Sequence, residues 1–146
     1  MSESLPAFGC ALPPSTPDDM ALLMSMRDRI DEMAAVAPCV FPTEQMLHAG
    51  CYVRTCICPA GSILAGAVIK VPTVVVVHGV CSVTTGYKTL HIDGFAVLKG
   101  AAGRATVWRA TTETTITMVF ASEATSCEAA EEEFTDEFQK LFTRRN

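Results

Sequence analysis

The sequence has few charged residues and no excess of positive charge. Only 18% of its 146 residues are charged, and 11 basic side chains stand against 16 acidic ones, which gives a net charge of -5. A groove for a nucleic-acid backbone needs a basic stripe. The sequence has none, so we expect no nucleic-acid polymer as a partner. Apolar residues make up 49% of the chain, which excludes a disordered protein and predicts one globular domain.

An export signal is also lacking, because residues 1–19 contain no basic segment followed by an apolar one. Residues 61–80 form an apolar run about as long as a membrane span. However, Lys70 and Pro72 lie in its middle and most of its residues are β-branched, which favours two strands. We therefore expect a cytoplasmic protein that does not enter a membrane.

The seven cysteines show no metal-binding pattern. An odd number of cysteines without an export signal predicts reduced thiols. Cys56 and Cys58 are two residues apart and would share one face of a strand. A zinc site needs a second pair, or histidines at a fixed spacing, and the sequence has neither. We interpret the two as small buried apolar side chains and expect no metal and no cofactor.

The N-terminal part of the chain is predicted to form an arm followed by a helix. Residues 1–16 show no periodic pattern and are interpreted as a flexible arm. Thr16 is a suitable N-cap and Pro17 suits the first turn, and apolar residues then recur at helical spacing. These signals predict an amphipathic helix over residues 17–37.

A second amphipathic helix is predicted over residues 125–143. Thr125 and Glu128 have the spacing of a capping box, and Phe134 belongs to an apolar stripe that continues to residue 142. The acidic run 131–133 is interpreted as the solvated start of this helix. The apolar stripes of the two helices predict a homo-oligomer, with a dimer favoured.

Between the helices, residues 48–121 have the pattern of short strands. Glycine- or proline-containing turns separate eight apolar or β-branched segments: 51–58, 63–70, 73–78, 81–84, 88–92, 95–98, 104–110 and 114–121. Eight short strands with no helix between them do not form a parallel α/β sheet. They predict a mainly β protein, built as an antiparallel barrel or jelly roll.

Two glycine-based segments of this region resemble conserved blocks of the cupin family. The first is PAGSILAG at residues 59–66, followed by a β-branched strand and Gly79. The second is DGFAVLKGAAG at residues 93–103, followed by RATVW at residues 104–108. The order of these segments is similar to that of small cupin-like proteins encoded by tailed bacteriophages. The resemblance covers residues 48–121 and implies an antiparallel, cupin-like jelly-roll barrel, flanked here by an N-terminal and a C-terminal helix.

The metal ligands of the cupin family are missing from these blocks. Metal-binding cupins carry two histidines and a glutamate in the first block and one histidine in the second, a set that holds a divalent metal. Counted from the conserved glycines, the four positions fall at Ala67, at Ile69, at Pro72 or Thr73, and at Thr106. The resemblance therefore implies a metal-free barrel with a pocket for a small molecule.

Six residues are predicted to bind a ligand: Arg54, Tyr87, His91, Arg104, Thr106 and Trp108. Because side chains alternate along a strand, Arg104, Thr106 and Trp108 would share the inner face. A guanidinium binds a phosphate or carboxylate, and an indole stacks on a planar ring. Arg54 is the second cation expected in the pocket, and the remaining two residues are expected at its rim. No catalytic residue is identified.

Three functions stay open at this point. The first is a binding protein that sequesters a small anionic metabolite, such as a nucleotide immune second messenger in the cytoplasm of a phage host. The second is a metal-independent enzyme, epimerase-like or lyase-like, that acts on a sugar or a nucleotide. The third is a structural or assembly factor of a virion.

Overall fold

The computed structural model describes residues 2–4, for which only the backbone is considered, and residues 8–144. Over these ranges the strands are β1 (Ser2–Ser4), β2 (Phe8–Leu12), β3 (Thr43–His48), β4 (Cys51–Cys58), β5 (Ile63–Ala65), β6 (Thr73–Thr84), β7 (Thr89–Gly100), β8 (Val107–Ala110) and β9 (Thr114–Ala121). The α-helices are α1 (Pro17–Val36) and α2 (Cys127–Phe134). Two 3-10 turns follow α2, at Phe138–Lys140 and Phe142–Arg144. The fold is therefore mainly β with two helices.

The strands form one mixed sheet. Its main path runs β1-β7-β6-β9-β4-β3, with β8 also paired to β6 and β5 paired to β8. Both β1 and β2 lie parallel to β7, whereas the other pairs are antiparallel. The prediction of an antiparallel barrel is therefore wrong in two respects, since the sheet is mixed and its described path does not close. Within the flexible arm predicted for residues 1–16, residues 2–4 and 8–12 form strands parallel to β7, and residues 1 and 5–7 lie outside the described residues.

The long strand β6 changes its partner halfway along, at Gly79. Residues 74–78 pair with β9, and residues 81–84 pair with β8. Gly79 has a φ of +140°, and a Cβ atom there would lie 2.5 Å from the Thr114 hydroxyl and 2.7 Å from the Glu113 carbonyl oxygen. Only glycine fits this position. The change of partner lets one strand belong to both halves of the curved sheet.

The concave face of the sheet carries the main hydrophobic core. Alternate residues of β6 and β7 point inward, as the period of two requires. The buried members of this core are Leu12, Val75, Val77, Cys81, Val83, Leu90, Ile92, Ala96, Leu98 and Trp108. The core therefore lies within the curve of the sheet, beside the cavity described below.

Helix α1 begins with the capping box that its sequence allows. The Thr16 side chain accepts a hydrogen bond from the Asp19 backbone N–H, and the Asp19 carboxylate accepts one from the Thr16 N–H. Leu23, which is 1% exposed, packs against Ala105 and Val107. The helix thus lies against β5 and β8, while its last residues, from 31 to 36, are exposed.

The C-terminal helix is shorter than the one predicted over residues 125–143. Its N-cap is Ser126, which accepts a hydrogen bond from the Ala129 N–H, and not Thr125. The helix ends at Thr135, which is fully buried in an extended conformation. Residues 135–144 then continue through the two 3-10 turns; we call them the C-terminal segment. In the part of the chain that is described, no helix has both the length and the apolar character needed to cross a membrane.

Candidate functional site

A cavity of about 180 Å³ lies between the sheet, helix α1 and the C-terminal segment. Its lining comes from α1, from strands β2, β3, β4, β5, β6, β8 and β9, from loop residues between 66 and 69 and between 104 and 106, and from residues 134–142. Sites for drug-sized ligands begin at about 300 Å³. The cavity is therefore sized for a small molecule.

Four of the six residues predicted to bind a ligand line this cavity: Arg54, Arg104, Thr106 and Trp108. The structure does not place the other two there. Tyr87 is 71% exposed in the turn between β6 and β7. His91 is exposed and alternates along β7 with the buried residues Leu90 and Ile92, so it points away from the interior. The prediction that Tyr87 and His91 lie at the rim of the pocket is therefore wrong for this cavity.

Arg104 is a buried cation on the wall of the cavity. It is 4% exposed, and it donates hydrogen bonds to the Ala101 carbonyl at 3.0 Å and to the Thr73 hydroxyl at 2.7 Å. Among residues 8–144, no carboxylate pairs with it. Burial lowers the pKa of Arg104 to about 10, so the guanidinium remains charged at neutral pH. Its charge is not neutralised by the described chain.

Gly100, the last residue of β7, leaves the space that this guanidinium occupies. A Cβ atom at position 100 would lie 2.5 Å from Cζ of Arg104 and 2.6 Å from the Thr73 hydroxyl. Arg104 itself lies before β8 and is held by an isolated bridge to Ile69. The guanidinium is therefore fixed between the end of β7 and the start of β6.

Trp108 supplies an apolar surface to the same cavity. It is 6% exposed and belongs to the main core. Its indole N–H donates to the Thr106 hydroxyl at 3.0 Å. Because this polar group already has a partner, the ring can offer a ligand its face or edge.

Arg54, the second predicted cation, is neutralised within the chain. Its Nη1 lies 3.4 Å from a carboxylate oxygen of Glu131 and donates to the Tyr52 and Thr143 hydroxyls, each at 3.2 Å. Glu131 is 1% exposed and also pairs with Arg144. Burial opposes its ionisation, but hydrogen bonds from Thr143 and Arg144 hold the pKa of Glu131 below its ordinary value. Arg54 therefore fastens the C-terminal segment to β4.

A second ion pair fastens the same segment to α1. Arg27 contacts both carboxylate oxygens of Glu137, at 2.7 and 2.8 Å, and the Val68 N–H donates to that carboxylate at 2.9 Å. The hydrogen bonds from Arg27 are the main reason that the pKa of Glu137 falls to about 2. This bidentate contact closes the cavity on the side of the C-terminal segment.

Sequence reasoning missed Arg27, Glu131 and Glu137, whose partners lie far away in the chain. The bond between Arg27 and Glu137 spans 110 residues, and that between Arg54 and Glu131 spans 77. The acidic run 131–133 was the one sequence feature that could have pointed to an ion pair in this region. Its first residue is buried, whereas the other two are exposed, so the run is solvated only in part.

The thiol of Cys56 also lines the cavity. A hydrogen bond from the Cys58 thiol is the main cause that lowers the pKa of Cys56 to about 7; burial opposes the shift, and Thr43 and Arg54 assist it. The pKa of Cys58 is raised by the same contact and by burial. Cys58 is 2% exposed, as expected of the small buried apolar side chain that the sequence predicted. For Cys56 that interpretation is incomplete, because its thiol lines the cavity.

The positions counted for the cupin metal ligands do lie at the cavity. Ala67, Ile69 and Thr106 line it, and Thr73 accepts the hydrogen bond from Arg104. Alkyl groups have no donor atom, and the set lacks the imidazoles and carboxylate that a divalent metal needs. These residues therefore do not fit the divalent metal that metal-binding cupins hold. Across the described residues, no cluster of three or more histidine, cysteine, aspartate or glutamate side chains could hold a metal ion.

No protein-family model and no curated protein matches the sequence significantly. Among solved structures, a cupin superfamily protein from Desulfitobacterium hafniense is similar with a TM-score of 0.49 and 8% identity, over 57% of this chain and 79% of that chain. An RmlC-like cupin protein from Desulfovibrio desulfuricans has a TM-score of 0.47 and 20% identity, over 56% and 81%.

A salicylate 1,2-dioxygenase from Pseudaminobacter salicylatoxidans is similar with a TM-score of 0.48 and 17% identity. The match covers 69% of this chain but 32% of that enzyme. With TM-scores below 0.5 and identities of 20% or less, these similarities say nothing about what the present chain binds.

Proposed function

We propose that this chain is a metal-free, cupin-like protein that binds a small anionic molecule in the cavity beside Arg104. The observation that carries the proposal is the state of this side chain: it is 4% exposed, lines the cavity and has no carboxylate partner among the described residues. Burying a charge without a counter-ion costs several kcal/mol. An anionic ligand would supply the missing counter-ion and recover part of that cost.

The cavity narrows the class of ligand. Glu131 pairs with Arg54, and Glu137 pairs with Arg27 and Lys140. Among the described cavity arginines, only Arg104 lacks a carboxylate partner, and it calls for one anionic group. The Trp108 ring can pack against a flat, apolar part of the ligand, together with neighbouring apolar side chains such as Val75 and Met118. We therefore expect a small carboxylate or phosphate that carries a single ring.

The resemblance to phage-encoded cupin-like proteins extends this proposal to the sequestration of a host metabolite, such as a nucleotide second messenger, in the host cytoplasm. A cavity of about 180 Å³ lies below the range for drug-sized ligands, so a whole nucleotide requires more room. That version of the proposal requires the C-terminal segment to move. The ion pairs of Glu131 and Glu137 would then have to open.

A metal-independent enzyme, epimerase-like or lyase-like, is the second candidate. The observation that favours it is the Cys56 thiol, which lines the same cavity and has a pKa of about 7. A group with this pKa can both take up and release a proton near neutral pH. In this case Arg104 would position the anionic group of a substrate beside the thiol.

A thermal-shift panel tests the proposal. The probes are inorganic phosphate, benzoate, nucleoside monophosphates, cyclic dinucleotides and nucleotide sugars, with benzamide and free nucleosides as neutral counterparts. We expect single-ring anions to raise the Tm of the wild type, neutral counterparts to have no effect, and Arg104→Met to abolish the response. Arg109→Met, at an exposed arginine of β8, is the matched control.

Each result separates the candidates. No response to any anion, or an unchanged response in Arg104→Met, would overturn the binding proposal. Chromatography of the probes afterwards distinguishes the two functions, because a binding protein returns its ligand intact. A probe that the wild type converts and Cys56→Ala leaves intact would establish the enzyme instead.

A further inference from the structure

The convex face of the sheet, across β7, β6, β9, β4 and β3, is apolar over most of its width. Strand register places one row of outward side chains side by side across the five strands: Lys99, Val74, Val119, Val53 and Met46. Val74 is 49% exposed and Met46 is 53% exposed. Four of the five members of this row are therefore apolar side chains that contact solvent.

A second row runs parallel to the first, through Val97, Val76, Thr117, Thr55 and Glu44. The hydroxyls of Thr55 and Thr117 lie 2.9 Å apart and hydrogen-bond to each other. The two hydroxyls therefore satisfy part of each other's hydrogen-bonding capacity. We call the two rows, together with Phe8 beside Val97 and with Phe95 on β7, the outer face.

Neither helix covers the outer face. Helix α1 packs on β5 and β8, and α2 lies near β3. Phe8 is 79% exposed and Phe95 is 49% exposed. Five strands at about 4.8 Å make the face about 24 Å wide. Monomeric proteins rarely expose a contiguous apolar patch larger than a few hundred Å².

The sequence predicted an oligomer through the apolar stripes of the two helices. The structure gives the C-terminal stripe a different role, because Phe134 is 1% exposed and Leu141 is 8% exposed within the chain's own core. That stripe is therefore not available to a partner. Among the described residues, the outer face is an apolar surface that remains exposed, as are Met33 and Val36 at the end of α1.

We propose that the outer face is the interface of a homodimer, in which a second copy of this chain packs face to face on the first. The charges at its two edges support a second copy as the occupant. Lys99 lies on β7, next to Ala11 of β2, on one side of the face, and Glu44 lies on the edge strand β3 on the other. Both side chains are exposed. A two-fold axis along the strand direction places β7 of each copy opposite β3 of its partner. Lys99 of one copy then lies opposite β3 of its partner, two residues along the strand from the partner's Glu44. This diagonal spacing of about 7 Å is within reach of long side chains, and the contact occurs twice.

The size of the face suits a small interface. A sheet about 24 Å wide and about 20 Å long presents roughly 500 Å² in projection, and the side chains of Phe8 and Phe95 add to it. A standard interface buries about 800 Å² on each partner. The sheets would pack about 10 Å apart, as in other face-to-face sheets.

Light scattering on the full chain at micromolar concentration tests the proposal. We expect the wild type to have twice the chain mass of 15.6 kDa and Val119→Lys, at the centre of the face, to have the mass of one chain. Val80→Lys is the matched control, because Val80 is 36% exposed on β6 beyond Gly79, outside the two rows, and should leave the dimer intact. A monomeric wild type, or a Val119→Lys dimer that melts like the wild type, would overturn the proposal.

A charge exchange keeps the test valid if Val119→Lys does not fold. Lys99→Glu should weaken the dimer about tenfold, since symmetry doubles the lost ion pair and adds repulsion. The double variant Lys99→Glu/Glu44→Lys should restore wild-type affinity. A double variant no tighter than the single one would show that the two edges do not meet. The outcome does not depend on the cavity, so it leaves the ligand proposal untouched.

Discussion

Arg54, which is largely buried, and Arg104, which is buried, line one cavity, but the described residues supply a carboxylate partner to Arg54 alone. The Arg54 side chain is 11% exposed and contacts Glu131, which is 1% exposed. Arg104 is 4% exposed and has a hydroxyl and a carbonyl as its partners. A buried charge with a counter-ion holds two parts of a fold together, whereas one without a counter-ion costs stability. The contrast gives Arg54 a structural role and supports the binding role proposed for Arg104.

The largest loss of stability should follow from breaking the ion pair between Arg54 and Glu131. Glu131→Gln leaves Arg54 buried without a counter-ion and removes the contact with Arg144. We expect the free energy of unfolding to fall by about 3–5 kcal/mol, as measured by urea denaturation. Glu132→Gln is the control, because Glu132 is 53% exposed and should change that free energy by no more than about 0.5 kcal/mol. Equal effects of the two substitutions would contradict the assigned role of Glu131.

Replacing each arginine by methionine compares the two directly. Arg54→Met leaves Glu131 with Arg144 as its remaining cation, and it should lower the free energy of unfolding by about 2 kcal/mol. Arg104→Met removes an uncompensated buried charge and should leave that free energy within about 1 kcal/mol of the wild type, or raise it. Denaturation of both variants in the same buffer measures the difference. A larger loss for Arg104→Met would reverse the assignment.

Glu137 makes the closure of the cavity sensitive to acid. Its pKa is about 2 in the folded chain, against an ordinary value of 4.5. Because the folded value is the lower one, the ionised carboxylate stabilises the fold above about pH 4.5, and this stabilisation is lost as the pH falls from there towards 2. Melting curves should therefore show a smaller fall in Tm over this window for Glu137→Gln than for the wild type.

Asp136→Asn is the control for this pH dependence, because the Asp136 side chain is 87% exposed in its pair with Lys70. We expect its curve to follow the wild type. A Glu137→Gln curve that also follows the wild type would mean that the ion pair with Arg27 does not form.

The smallest effect concerns Cys56, whose pKa is lowered in part by the charge of Arg54. Alkylation by iodoacetamide, followed at this residue by mass spectrometry of peptides, should give an apparent pKa of about 7. Arg54→Met should raise it slightly, and Arg104→Met should leave it unchanged. A greater rise in Arg104→Met would show that the two cations are misassigned.

Counting along one segment was enough to predict three residues of the candidate site. Arg104, Thr106 and Trp108 lie two residues apart, and alternation of side chains is a local property of extended chain. His91 shows the limit of this reasoning. Which face of β7 points inward depends on its register with β6, and a slip of one residue reverses every side chain.

The C-terminal segment could not be predicted from local patterns. Helical spacing continues past Phe134, yet the chain leaves the helix there because Glu137 pairs with Arg27 and Leu141 packs into the core beside Tyr52. These partners lie far away in the sequence. The same holds for the parallel strands at the N-terminus, whose partner β7 begins at Thr89.

The direct test of the central claim uses Trp108, the only tryptophan of the chain, as a reporter in the cavity. Iodide, an anion, and acrylamide, which is neutral, both quench indole fluorescence. We expect the ratio of iodide to acrylamide quenching to fall several-fold in Arg104→Met and to remain unchanged in Arg54→Met. A ratio that is the same in the wild type and Arg104→Met would show that the cavity does not attract anions through Arg104, and would contradict the account.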